Sequence, residues 1–311
     1  MKNYKFLFAA VLSGSMMLLN LVALADDHAG VVTVVRVQGT AAYSLDGGTT
    51  WTPALVGKSL PAGSLIRSDD KSIVDILVGQ NLADVNVRIL KNDTTRDPAG
   101  NILPQREVNM IRLRPDTTFG IDKLTVPDGD PSDVSGAEFN LKKGSIFASV
   151  RKVSPSSEYF IKIPNGVAAV RGTQFQLSSD GSGSSISVVS GTVWLSFTIT
   201  DASGNPVNGP DGNAFPPVQV TVNPAQTFSL SSSLISQLSS TLSQAGASGT
   251  SLQALIAQIS TLATAAVASL ESGQVDDINL MLLGLQGQQI TISGGVNLPT
   301  DSGTSQSLTH Q

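Results

Sequence analysis

The residue types able to do chemistry in this chain are few. Its 311 residues include no cysteine and two histidines, His28 and His310, near the two ends. Thiol nucleophiles, Ser-His-Asp triads, histidine zinc sites and histidine acid–base work are not expected, because each needs a thiolate or imidazole held in a structured site. Three clusters remain. Residues 44–51, SLDGGTTW, place Asp46 where it can accept turn amides; Gly47 and Gly48 can take left-handed angles, and Trp51 can pack across the hairpin. One copy makes a turn, whereas a propeller would repeat it in every blade. Asp128, Asp130 and Asp133 offer oxygen ligands at roughly alternate positions, as calcium would need. The glycine and closing glutamate of an EF-hand loop are missing and prolines intervene, so a bare surface turn is expected there. The third cluster is Arg171-Gly172-Thr173 within residues 159–175, YFIKIPNGVAAVRGTQF. A lone charge in an apolar strand must meet a carboxylate or reach water, since an unpaired buried charge costs several kcal/mol. The expectation is a guanidinium locked inside the scaffold, with Gly172 marking a close backbone approach. No catalytic, cofactor-binding or metal-binding residue is assigned.

The elements that would position these groups read as short strands. Low aromatic content with abundant Gly, Ser, Thr and Val suits β structure. Residues 31–37, 40–44, 64–67, 73–78, 85–89, 108–113, 117–124, 139–150, 186–199 and 218–222 carry strand patterns, with turns at Lys143-Gly144 and Ser190-Gly191. Pro164-Asn165-Gly166 predicts a tight hairpin in which Asn-Gly supplies positive φ. Residues 92–105 and 201–217 read as loops. After residue 229 the apolar period changes to about 3.6. Leu234, Ile235, Leu238 and Leu242 form one stripe, and Leu252, Leu255, Ile256, Ile259, Leu262, Ala266, Val267 and Leu270 another. These predict an amphipathic helical pair, with residues 275–285 as a further helix.

Residues 1–25 hold Lys2 and Lys5, an apolar run and a closing Ala23-Leu24-Ala25, which reads as a secretory leader cut before Asp26. The expected organisation is a leader over 1–25, an all-β domain over 26–228, a helical appendage over 229–293 and a disordered tail over 294–311. The protein is then exported, periplasmic or at the surface of a bacterium, with no transmembrane span after cleavage. Residues 26–171 hold as many basic as acidic side chains, and no Lys or Arg follows Arg171. Nucleic acid, which requires an array of cations, is excluded as a partner.

Several ordered blocks resemble the FecR domain. They are Val37-Gln38-Gly39, residues 44–51, residues 56–60, residues 62–67 (AGSLIR), residues 141–146 (LKKGSI), residues 163–173 (IPNGVAAVRGT) and residues 188–193 (VVSGTV). Residues 44–51 also resemble the Asp-box hairpin of secreted β proteins. The FecR resemblance implies an exported all-β domain, solenoid-like or sandwich-like, that works by protein contact without a catalytic centre. It further implies that Asp46, Gly48, Trp51, Gly166, Arg171, Gly172 and Thr173 are motif positions with structural roles. The expected function is a non-enzymatic binding, envelope-assembly or signal-relay module with a protein or glycan partner in the envelope. Two alternatives stay open. A carbohydrate-binding protein could stack sugar on Trp51 or Trp194, although hydrolysis would need a carboxylate pair that is not evident. An adhesin or matrix component could self-associate through the helices.

Overall fold

The structure is a computed structural model that describes residues 27–79, 109–127, 134–151, 157–201, 203–248, 250–271 and 274, with backbone elements at 290–292 and 296–298. The leader, the strand pattern at 85–89, the loop at 92–105, the carboxylate turn at 128–133 and the helix at 275–285 lie outside the described residues. The chain begins with β1 (Asp27–Ala29), β2 (Val31–Gln38), β3 (Ala41–Ser44), β4 (Thr52–Pro53), β5 (Ser59–Pro61), β6 (Ser64–Ser68) and β7 (Ile73–Val78). Next come β8 (Asn109–Leu113), β9 (Thr118–Pro127), β10 (Gly136–Ser149), β11 (Glu158–Ile163), β12 (Gly166–Ser179), β13 (Ser184–Phe197), β14 (Val218–Val222) and β15 (Gln226–Leu230). Helices α1 (Ser232–Ser248) and α2 (Leu252–Ala265) precede β16 (Val267–Ser269), and β17 (Ile290–Ile292) pairs antiparallel with β18 (Val296–Leu298).

Three strands of 14 residues, β10, β12 and β13, decide the architecture because each belongs to two layers. In the first layer the first halves of β10 and β12 and the second half of β13 pair with β9, β11 and β14, and β9 continues through β6 and β3 to β4. In the second layer their other halves pair with each other, with β8, β7, β2 and β5 on one side, and with β15 and β16 on the other. One apolar core lies between. Phe197 of the first layer meets Phe228 of the second with ring centroids 5.9 Å apart. The parallel pairing of β10 with β11 adds a solenoid-like coil to this sandwich: β10 crosses into the second layer, and β11 returns beside its beginning.

Each long strand bends at a glycine, and the core-facing parity switches there. Ala137, Phe139 and Leu141 are buried before Gly144, and Ile146, Ala148 and Val150 after it. Ala168 and Val170 precede Gly172, while Phe175 and Leu177 follow; Ile186 and Val188 precede Gly191, while Val193, Leu195 and Phe197 follow. The switch keeps one side of each strand on the core through the bend. Gly144, Gly172 and Gly191 have φ of 99°, 62° and 80°. Between Arg171↔Thr192 and Gln174↔Ser190, two residues of β12 oppose one of β13, which is a β-bulge. Fully buried Thr173 sits in it, its Oγ1 3.1 Å from the carbonyls of both Arg171 and Thr192. A Cβ on Gly191 would collide with the carbonyl oxygen of Gly172 and lie 2.9 Å from Thr173 Cα.

The same device recurs at the other edge of the sandwich. Asp116 is left-handed (φ 56°), buried Thr117 follows it, and a Cβ on Gly144 would collide with Thr117. Thr117 Oγ1 donates to Ser145 O and accepts from Ser145 N, both at 3.0 Å. The sequence placed turns at Lys143-Gly144 and Ser190-Gly191. They are bends inside continuous strands, because the hydrogen-bond ladders resume on the second layer. The hairpin of β11 and β12 is present, but its two turn residues are Pro164 and Asn165, and neither Asn165 nor Gly166 has positive φ. Proline sets the negative φ that opens such a turn. Gly166 is required for space, since a Cβ there would lie 2.6 Å from Ser196 O.

A buried ion pair stitches β7 to β8 at register partners Asp75 and Arg112. Asp75 is 0% exposed and Arg112 6%; Nε and Nη2 donate to the two carboxylate oxygens at 2.7 and 2.8 Å, and Arg36 Nη1 lies 3.8 Å away. The hairpin after β3 is held by Asp46, whose carboxylate accepts from Ser44 Oγ at 2.6 Å and Thr50 N at 2.9 Å. These bonds, Ser44's first, hold its carboxyl well below the usual carboxylate range. Leu238, Leu255 and Ile259 join the main core, each contributing roughly 1.5–3 kcal/mol. That packing seats a helical pair in a stretch, residues 212–270, without a single charge. The second stripe was read through Leu270, but α2 ends at Ala265 and Val267–Ser269 adds a strand to β15; residues 226–230, beyond the last strand pattern in the sequence, are β15 itself. Residues 290–292 and 296–298, which the sequence assigned to the end of the appendage and the start of the tail, are the paired strands β17 and β18.

Gly144→Ala and Gly191→Ala each lower unfolding free energy by about 2–4 kcal/mol in urea titrations, since strain and backbone collision combine. Gly63→Ala, where φ is 88° but nothing lies within 4 Å, costs only about 1 kcal/mol. Arg112→Ala strands a buried carboxylate and costs about 3–5 kcal/mol, whereas Asp75→Leu with Arg112→Met recovers most of it. For Asp46 the folded pKa lies below the unfolded one, so its stabilisation is present above about pH 4 and is lost as pH falls further. Acid titrations of Asp46→Ala followed by circular dichroism therefore show a shallower loss of stability below that pH.

Candidate interaction face

The outward side of the first layer carries the most distinctive surface among the described residues. Because Ala168, Val170, Val193 and Leu195 point to the core, their neighbours along β12 and β13 leave the opposite side. Cross-strand register then sets Glu138, Phe160, Ala169, Trp194 and Thr221 in one row, and Asn140, Lys162, Val167, Ser196 and Gln219 in the next. Small Ala169 lies between two aromatic side chains whose strands are two spacings apart, about 10 Å. The result is a furrow running along β12. Trp194 is 50% exposed, and Phe160 is half-buried.

The two ends of the furrow differ electrostatically. Lys162 Nζ lies 2.9 Å from Glu138 Oε2 and 3.1 Å from Asp122 Oδ2. The hydrogen bond from Lys162 lowers the Glu138 pKa, and those to Glu138 and Asp122 raise that of Lys162. That cation is neutralised. Arg171, across from Thr192 at the bend, makes no ion pair or side-chain hydrogen bond with any described residue, and its Nε is buried without an acceptor. Leaving such a donor unpaired costs about 1–3 kcal/mol. The expectation that Arg171 is locked inside against a carboxylate is therefore corrected. It alternates with the core residues and stands half-buried on the outer side, while the enclosed, carboxylate-paired arginine is Arg112.

Gly166, Arg171, Gly172 and Thr173 come together along β12. Asp46, Gly48 and Trp51 do not join them, since their hairpin lies at the β3–β4 end of the layer. Trp51 is covered by the Arg67 guanidinium, 4.2 Å from its ring, so of the two tryptophans Trp194 is the open one. Asp180 and Asp201 cap their own loops, accepting backbone amides from Gly183 and Asn205 at 2.7 and 2.9 Å, and Asp211 accepts from the side chain of Asn213 at 3.0 Å and its backbone amide at 3.2 Å; these bonds lower their pKa values. Among the described residues no three His, Asp or Glu gather to hold a metal. Sequence reasoning missed the Phe160–Ala169–Trp194 row and the Asp75–Arg112 pair. A single charge in each of two apolar runs was the available signal for the pair.

The family model described as FecR protein matches residues 106–194, which include β8 to β12 and most of β13, with the Gly144, Gly172 and Gly191 bends. No curated protein matches the sequence. Two crystal structures of a candidate anti-sigma factor from Parabacteroides distasonis are similar at 12% and 14% identity, with TM-scores of 0.27 and 0.26. Each match covers 42% of this chain and 49% of the other, so this chain spans about half the length of those proteins. The family resemblance is thus carried by residues 106–194, which match the FecR model.

Proposed function

We propose that this is an exported, non-enzymatic FecR-domain protein that works by protein contact, receiving or relaying a signal in the bacterial envelope through the outer face of its first layer. The observation that carries the reading is half-exposed Trp194 inside the FecR-matched stretch, with an unpaired arginine beside its furrow. Tryptophan and arginine are the residue types that anchor protein interfaces, where an aromatic side chain fills a pocket and a desolvated guanidinium finds an acceptor. An aromatic furrow rigidly mounted on a bent sheet suits recognition, because little ordering entropy remains to be lost on binding. No described helix is long and apolar enough to cross a membrane. The leader reading places the mature start at Asp26, one residue before β1.

A photo-reactive phenylalanine analogue at Trp194, expressed in the native host, tests this reading. The expected result is one discrete envelope-protein adduct, with none from the same analogue at Leu55, which is 68% exposed at the β4 end. Equal labelling at both sites, or none at Trp194, contradicts it. Trp194→Ala changes folding stability by no more than about 0.5 kcal/mol, the surface range, while removing partner capture. N-terminal sequencing of the exported chain yields Asp26, and release of reducing sugar from envelope glycans by purified protein would refute the non-enzymatic assignment.

A further inference from the structure

We infer that the furrow along β12 takes an extended acidic segment of a partner protein, with a large apolar side chain over Ala169 between Phe160 and Trp194 and a carboxylate two residues away at Arg171. The inference rests on the protein-contact reading above and names the chemistry of the partner. Three observations converge on it. The furrow follows a strand, with a small apolar floor of Val167 and Ala169 and an aromatic side chain on each side of Ala169. Among the described residues Lys162, at one end, is already held by Glu138 and Asp122, whereas Arg171, at the other, has no ion pair.

The third observation concerns Arg171 itself. Its Nε is buried without an acceptor, and the half-buried side chain makes no ion pair or side-chain hydrogen bond with any described residue. A planar guanidinium presented in this way accepts a carboxylate through two parallel hydrogen bonds. Ala169 and Arg171 are two residues apart on one side of β12, about 6.6 Å. An extended peptide repeats its side chains on one face with the same spacing, so an apolar residue and an acid at i and i+2 meet both features together. A single cation does not suit a polyanion, and no Lys or Arg follows Arg171 in the sequence.

The test is fluorescence anisotropy with the full mature chain and dye-labelled acetyl-Gly-Ser-Leu-Ser-Asp-Ser-Gly-amide, against the same peptide carrying Asn for Asp. The acidic peptide is expected to bind at least tenfold more tightly, with an advantage that shrinks as salt rises. Arg171→Gln brings both peptides to the same weak affinity, and Trp194→Ser abolishes binding of both. Should Arg171→Gln fail to fold, the two peptides on the unaltered protein still decide the question. Affinities within twofold of each other overturn the inference, as does binding of a uronic-acid disaccharide where the acidic peptide fails. If an adduct forms at Trp194 while the two peptides bind alike, the protein-contact reading stands and this inference falls; if no adduct forms, the reading beneath it has failed.

Discussion

A buried threonine faced by a residue that cannot carry a side chain is the constraint on which this fold depends. At one edge Thr117 occupies the space a Cβ on Gly144 would need; at the other Thr173 and the Gly172 carbonyl do the same to Gly191. In each case the residue before the threonine, Asp116 or Gly172, is left-handed, and the hydroxyl binds carbonyl groups that the bend removes from the regular ladder. A strand that merely curved would leave those carbonyls unpaired in the interior, which is costly. The threonine hydroxyls make the bends cheap enough to persist, and the bends let three strands serve two layers.

The candidate face follows from that geometry. In β13 the bend at Gly191, opposite the bulge of β12, sends Val193, Leu195 and Phe197 inward and Trp194 outward. A slip of one residue would exchange the two sets, burying an indole and exposing three large apolar side chains. Thus the same glycine bends that close the core also determine which aromatic group meets solvent. Arg171 stands at the bend with its backbone carbonyl bound by Thr173, so the cation is fixed relative to Trp194 by the fold itself.

Much of this was legible in the sequence. Period-two alternation announced the strands, the shift to 3.6 announced both helices, and several ordered blocks pointed to the FecR domain. The parity switch at each glycine was written there as well, in 137-139-141 against 146-148-150, but it resembles a turn until a ladder is seen to continue through it. The hairpin at residues 159–175 was placed correctly with the wrong turn residues, since Pro164 competes with Asn-Gly for the corner and its fixed negative φ prevails. Arg171 and Arg112 exchanged their expected environments because each is a lone cation in an apolar run. Only register decides that Asp75, 37 residues away, faces Arg112, while Arg171 makes no ion pair with any described residue. The furrow required the register of several strands at once, and local pattern does not hold that information.

The claim that the bent strands enclose one core between two layers is tested most directly by nuclear Overhauser contacts between the rings of Phe197 and Phe228 in the folded protein. Those rings belong to different layers and are joined by no common ladder position, with centroids 5.9 Å apart. Strong ring-to-ring cross-peaks are the predicted result. Their absence, with the backbone pairing of β13 to β14 and β15 intact, would mean that the sheet remains open and the account of the bends is wrong.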